Sequence, residues 1–104
     1  MYLRTLCITL MLTGLQRYAI AQDSNRSALK NKALTILHHK CNTCHTMYNR
    51  KIVFTESTME TYANNIYKQV YIKRRMPKGR KVTLTKEEEA NLLLWLKEKG
   101  VARK

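Results

Sequence analysis

Residues 27–45 read SALKNKALTILHHKCNTCH, and the reading of the whole chain turns on this stretch. Leu29, Ala33, Ile36 and Leu37 recur at steps of four, three and one, which is the apolar stripe of an amphipathic helix, expected from about Ser27 to Lys40. That helix leads into Cys41-Asn42-Thr43-Cys44-His45, where two thiols and an imidazole follow one another at close spacing.

Further along, Ser57-Thr58-Met59-Glu60 matches a capping box, with Ser57 accepting from the amide of Glu60 and Glu60 reaching back to the amide of Ser57. A second helix is expected behind it, with Met59, Ala63, Ile66 and Val70 on its apolar side and Tyr62, Tyr67 and Tyr71 nearby. Thr85-Lys86-Glu87-Glu88 repeats the signature, and Glu87, Glu88 and Glu89 fall where a helix dipole favours negative charge. Leu92 to Leu96 then form the most apolar segment after the N-terminal region, and Lys97, Lys99 and Gly100 supply a basic last turn and a C′ glycine. Between the helices, Thr46 to Glu56 is apolar enough to line a pocket or make a short extended piece, and Lys73 to Leu84 is strongly basic and holds Pro77. No segment alternates long enough to argue for a sheet, and no linker or repeat marks a second domain. The expected class is all-α, with three main helices.

Met1 to Arg4 form a basic start, Thr5 to Leu15 a largely apolar run, and Ala19-Ile20-Ala21 a small-x-small site of the kind signal peptidase cuts after. Residues 1–21 are therefore expected to be a signal peptide and residues 22–104 the mature domain, exported to the periplasm or beyond the cell. The apolar run is shorter than the ~20 residues a spanning helix needs, so no transmembrane segment is expected after cleavage. An uncleaved N-terminal anchor is the alternative, because Arg17 sits close to the cut. Cys7 leaves with the peptide.

A domain of the remaining size buries only about 60% of its unfolded surface and usually needs a disulfide, metal or cofactor to hold it. Cys41 and Cys44 are too close in sequence for a disulfide between them to restrain the unfolded chain much. Formal charge is +13 over the whole chain. Without Arg4 and Arg17 it is +11, from 18 basic and 7 acidic residues. Such a chain attracts polyanions, and export argues against nucleic acid as the partner.

The pattern C-x-x-C-H is the attachment site of c-type haem. Two thiols at this spacing can add to the two vinyl groups on one edge of a porphyrin, and the next residue can present its imidazole to the iron. One covalent haem is expected on Cys41 and Cys44, with His45 as an axial ligand. A thioredoxin-like redox pair would need a strand before it in a βαβ unit, which is not seen. A zinc site would have to draw on Cys41, Cys44, His45 and His38 or His39, and four ligands from so short a segment would close a tetrahedron poorly.

The second axial position falls to a methionine, the usual partner of histidine in such sites. Met47 is too near His45 to reach round the ring, and Met59 sits on a helix stripe where methionine is more often core. Met76, in a loop and stiffened by Pro77, is the expected sixth ligand. His38 and His39 lie on the attachment side of the ring and are expected to be surface or helix-end residues.

A helix running into Cys41-Asn42-Thr43-Cys44-His45, a middle helix, the Arg75-Met76-Pro77 loop and a closing helix carrying Leu92 to Leu96 together resemble the bacterial class I, monohaem cytochrome c family. The resemblance covers most of residues 28–100. It implies a cytochrome c-like fold wrapped around one haem, in which Ala33 and Leu37 on the first helix meet Leu92, Trp95 or Leu96 on the last. Many family members place a proline after the C-x-x-C-H whose carbonyl accepts from the proximal imidazole; this chain has none between His45 and Met76. Tyr48, Arg50, Trp95 and the basic loop are the candidates for the haem propionates.

The family's role is single-electron transfer, so the expectation is a monomeric electron carrier rather than an enzyme. Lys73, Arg74, Arg75, Lys78, Arg80 and Lys81 surround Met76 and are read either as a ring that steers an acidic redox protein (an oxidase, reductase or dehydrogenase) or as a solvated loop. Two other roles stay open: a haem-based sensor or peroxidase-like protein with a displaceable sixth ligand, and a bound electron-entry subunit of a larger oxidoreductase.

Overall fold

The apolar stripe around Ala33 folds as part of one continuous helical run in the computed structural model, which describes residues 22–47 and 52–102. The expected signal peptide, Tyr48 and Arg50 lie outside the described residues. The run, α1, is α-helical over residues 22–36, π-helical over Leu37–Asn42 and α-helical again over Thr43–Met47. It is longer at both ends than the stripe predicts, and the C-x-x-C-H motif is itself helical instead of following a helix. No glycine or proline interrupts the run. The Thr43 and Thr46 hydroxyls also donate to the carbonyls of His39 and Asn42, at 2.8 and 2.5 Å. Such back-bonding to the preceding turn is a common cause of local distortion in helices.

Three further helices follow: α2 (Thr58–Thr61), α3 (Ala63–Tyr67, continued as a π-helical Lys68–Ile72) and α4 (Lys86–Glu98). The expected middle helix is thus divided at Tyr62, whose backbone leaves the helical region with ψ at 13°. Among the described residues there is no strand, so the class is all-α, with four helices. None of these helices is long and apolar enough to cross a membrane.

The capping box predicted at Ser57 does not form; the Ser57 side chain makes no cap bond. Instead Thr55 and Thr58 exchange bonds, each backbone amide donating to the other's hydroxyl, at 2.7 and 3.3 Å. Glu60 turns away to two ammonium groups, Lys30 and Lys99, each at 3.0 Å. A carboxylate gains more from two cations than from one neutral amide, and its hydrogen bonds to Lys99 and Lys30 hold its pKa below the ordinary value. The box at α4 does form: the Glu88 amide donates to Thr85 Oγ1 and the Thr85 amide to Glu88 Oε1, both at 3.1 Å. Caps of this kind are worth about 1 kcal/mol. At the other end Gly100, at φ 77°, makes a Schellman close, with Gly100 N–H donating to Lys97 O and Val101 N–H to Leu96 O.

One core cluster joins the helices. It contains Ala33, Ile36 and Leu37 from α1, Met59 from α2, Ala63, Ile66 and Val70 from α3, and Leu92, Trp95 and Leu96 from α4. The stripe of the predicted middle helix is therefore the buried one even though the helix is broken. Ion pairs Arg26–Glu98 (3.1 Å) and Lys40–Glu88 (3.5 Å) connect α1 and α4 in opposite chain order, so the two run in opposite senses across the core. Trp95 Nε1 is buried without a hydrogen-bond acceptor.

Tyr71 ties α3 to α4 by donating its hydroxyl to the Glu89 carbonyl at 2.6 Å. Burial, with the Glu89 charge beside it, pushes the Tyr71 pKa up to about 12. An unfolded tyrosine titrates near ~10, so between these values the unfolded chain releases a proton that the folded chain keeps. Stability contributed by Tyr71 is then complete below pH ~10 and lost as pH rises through about 12. Denaturation midpoints measured across this window should fall more steeply for the native chain than for Tyr71→Phe, and parallel curves would show that the shift is not there.

Candidate functional site

A cavity of about 1190 Å³ opens between α1, α3 and the segment that follows α3. Folded interiors are packed nearly as densely as organic crystals, and clefts for small ligands are typically ~300–1,000 Å³, so this volume is large for a chain of this size. Its wall is mainly apolar, with Ile52, Phe54, Ile66, Val70, Pro77 and Val82 contributing.

Three groups predicted from the C-x-x-C-H motif face it from α1: Cys41, Cys44 and His45. Residues three and four apart on a helix share a face, and this motif is helical, so the spacing alone puts the thiols and the imidazole on one side. The two thiols are not joined to one another. Met76, the predicted second ligand, lines the same cavity from the loop after α3, 31 positions along the chain from His45. Its backbone is anchored there: Arg74 adopts a left-handed conformation (φ 50°), and the amides of Arg75 and Met76 both donate to the Gln69 carbonyl, at 2.9 and 3.2 Å. Both π-helical stretches supply lining residues, Lys40 and Cys41 from one and Gln69 and Val70 from the other. Widened turns of this type are frequent at functional sites.

Among the described residues, the other methionines and histidines are elsewhere. Met59 is fully buried in the core and Met47 is 69% exposed. His38 and His39 are exposed on α1, and neither lines the cavity. Trp95, considered for the propionates, is buried in the core and does not line it either. Tyr48 and Arg50 cannot be placed, being outside the described residues.

His45 Nδ1 lies 2.6 Å from the Ile52 carbonyl oxygen. A carbonyl can only accept, so Nδ1 carries a proton, and in the neutral ring Nε2 holds the lone pair that a ligand bond uses. The acceptor for this imidazole is the backbone of Ile52, not a proline. No side-chain pattern signals a backbone carbonyl, and this is why the sequence does not reveal it. Phe54 packs against the imidazole with ring centroids 5.5 Å apart and an interplanar angle of 52°.

Electrostatically the cavity is one-sided. Lys40, Arg75, Lys78, Arg80 and Lys81 line it, and among the described residues no aspartate or glutamate does. Lys40 is paired with Glu88. Of the six cations predicted around Met76, four line the cavity, while Lys73 and Arg74 do not. Gly79, at φ 87°, lets the chain turn between Lys78 and Arg80. The cavity suits an occupant with an apolar body and an anionic edge.

No protein-family model, curated protein or solved structure matches this chain.

The thiols also bear on the rival chemistries. Burial pushes the Cys41 pKa up to about 11, with the neighbouring Cys44 adding to the shift. A dithiol oxidoreductase needs the opposite, a thiolate stabilised near neutral pH. Among the described residues no three His, Cys, Asp or Glu side chains are grouped so as to hold a metal, which removes the zinc arrangement. In the haem-free protein at neutral pH, iodoacetamide should therefore alkylate Cys41 at least roughly tenfold more slowly than a free cysteine. Mass mapping of the modified peptides over time measures this, and a Cys41 that reacts faster than free cysteine would contradict it.

Proposed function

We propose that this chain is an exported, monohaem c-type cytochrome that shuttles single electrons between redox proteins, and that its four helices form a cytochrome c-like fold around the cofactor. The observation that carries this reading is the convergence of Cys41, Cys44, His45 and Met76, from two segments well apart in sequence, on one large apolar cavity.

The residues present fit the group. Cys41 and Cys44 supply two unpaired thiols on one helix face for thioether bonds, and His45 Nε2 and Met76 Sδ are the donors for the iron. Arg75, Lys78, Arg80 and Lys81 offer counter-charge to two carboxylates. Bound there, haem supplies a one-electron ferric/ferrous couple. Phe54, Ile66 and Val70 exclude water from the interior wall. The Ile52 carbonyl holds the imidazole in one tautomer. The Gln69 carbonyl fixes the backbone at Met76 and favours a retained sulfur ligand, the arrangement a carrier needs, over a displaceable one. Arg75, Lys78, Arg80 and Lys81 are exposed as well as lining the cavity, which supports an acidic redox protein as donor or acceptor.

Optical spectra of the exported protein, produced in a host competent for haem attachment, test the assignment. The expected result is a thioether-type α band on reduction, a weak far-red band from sulfur ligation in the ferric form, and no carbon monoxide binding to the ferrous form. Met76→Ala should lose the far-red band and bind carbon monoxide. A colourless mature protein ends the reading, and carbon monoxide binding by the native chain would favour the sensor or peroxidase-like role.

Steering has its own consequence. Electron exchange with an acidic partner should slow by roughly tenfold or more between low and physiological salt. Charge reversal at Lys78 and Arg80 should flatten that dependence. A stopped-flow rate indifferent to ionic strength would leave the basic loop as solvated surface only.

A further inference from the structure

We propose that Asn42 is a positioning residue for His45, acting through the backbone of residues 52–54. The Asn42 side-chain amide makes two bonds to one residue: Nδ2–H donates to the Phe54 carbonyl at 2.7 Å, and the Phe54 N–H donates to Oδ1 at 2.8 Å. The pair mimics one rung of a sheet, with a side chain standing in for the second strand. Two residues before Phe54, the Ile52 carbonyl accepts from His45 Nδ1. Phe54 itself is the aromatic neighbour of the imidazole. Asn42 therefore holds both the hydrogen-bond acceptor and the packing partner of His45 while standing only three residues away on the same helix. It does not line the cavity, so it acts on the imidazole and not on a ligand.

The residue type fits the task. Asparagine is a poor choice for a helix interior, because its side chain competes for backbone groups. Position 42 lies inside the α1 run and pairs the amide with a distant segment. Alanine would leave the Phe54 N–H and carbonyl without these partners. In this chain no proline stiffens the loop that carries the acceptor, and the Asn42 clamp does that work through two hydrogen bonds in place of a ring.

The consequence rests on the haem reading above, although the geometry does not. A firm Nδ1–H···O=C bond increases the donor strength of Nε2 and so favours ferric over ferrous iron. Loosening it should raise the reduction potential. The experiment compares the haem-loaded native chain with Asn42→Ala by redox titration and by proton NMR of the ferrous form. Asn42→Ala is expected to show a higher potential and exchange of the His45 Nδ1 proton faster by roughly tenfold or more. A merely structural role for Asn42 would lower the melting temperature and leave potential and Nδ1 exchange unchanged; that result overturns the proposal. Should Asn42→Ala fail to fold, hydrogen exchange in the native chain decides: a protected Phe54 amide supports the clamp, and one exchanging at the rate of an open loop overturns it. If the native chain takes up no haem, the function proposed above fails by itself, and Phe54 protection in the haem-free chain still tests the clamp.

Discussion

A cavity of about 1190 Å³ bordered by apolar side chains is the feature on which everything else in this molecule depends. It opens to solvent, and folded chains rarely leave so large an apolar-walled space unfilled. Among the described residues the helices contribute ten residues to the core cluster, joined by Phe54 and Ala102. An apolar occupant anchored to α1 and to the loop after α3 would complete that core. On the proposed reading, holding the cofactor and completing the core are one requirement, and the close placement of two thiols on a helix face serves both.

The order inside the site comes from backbone groups more than from side chains. The imidazole is oriented by the Ile52 carbonyl, and Met76 is placed by the Gln69 carbonyl. Each acceptor is in turn held by its own element: Gln69 belongs to the π-helical end of α3, and Ile52 lies in the segment clamped by Asn42. The left-handed turn at Arg74 carries a cost of ~1–2 kcal/mol for a residue with a β-carbon. It reverses the chain directly after α3, which sends Met76 back over the cavity instead of onward into solvent.

This division explains what was legible in the residues beforehand. The α4 helix was readable to its ends, because Thr85, Glu88 and Gly100 are local signals whose partners lie within the same few residues. The apolar stripes at Ala33 and at Ile66 were readable for the same reason. The start of the middle helix was misread because Glu60 can serve either a local amide or distant cations, and Lys30 and Lys99 are neighbours only after folding. The helix was expected to stop at Lys40, although Cys41 and Cys44 continue the stripe of Ala33 and Leu37 at steps of four and three through the helical motif. Ile52 could not be found at all: a carbonyl leaves no mark in a side-chain sequence. Asn42 left a faint one, as an amide placed where a helix gains little from it.

Charge is distributed to the same end. Glu56, Glu60, Glu88 and Glu98 all sit in ion pairs that join α1 to the segments around α2 and α4. The segment from Lys73 to Leu84 holds six cations and no acidic residue. Like charges so concentrated repel one another and keep a segment extended, which opposes collapse of the loop into the cavity it borders. An uncharged filler would satisfy the apolar wall and leave that repulsion in place. One with carboxylates at its rim removes both penalties at once, so shape and charge select the same kind of occupant by independent physical routes.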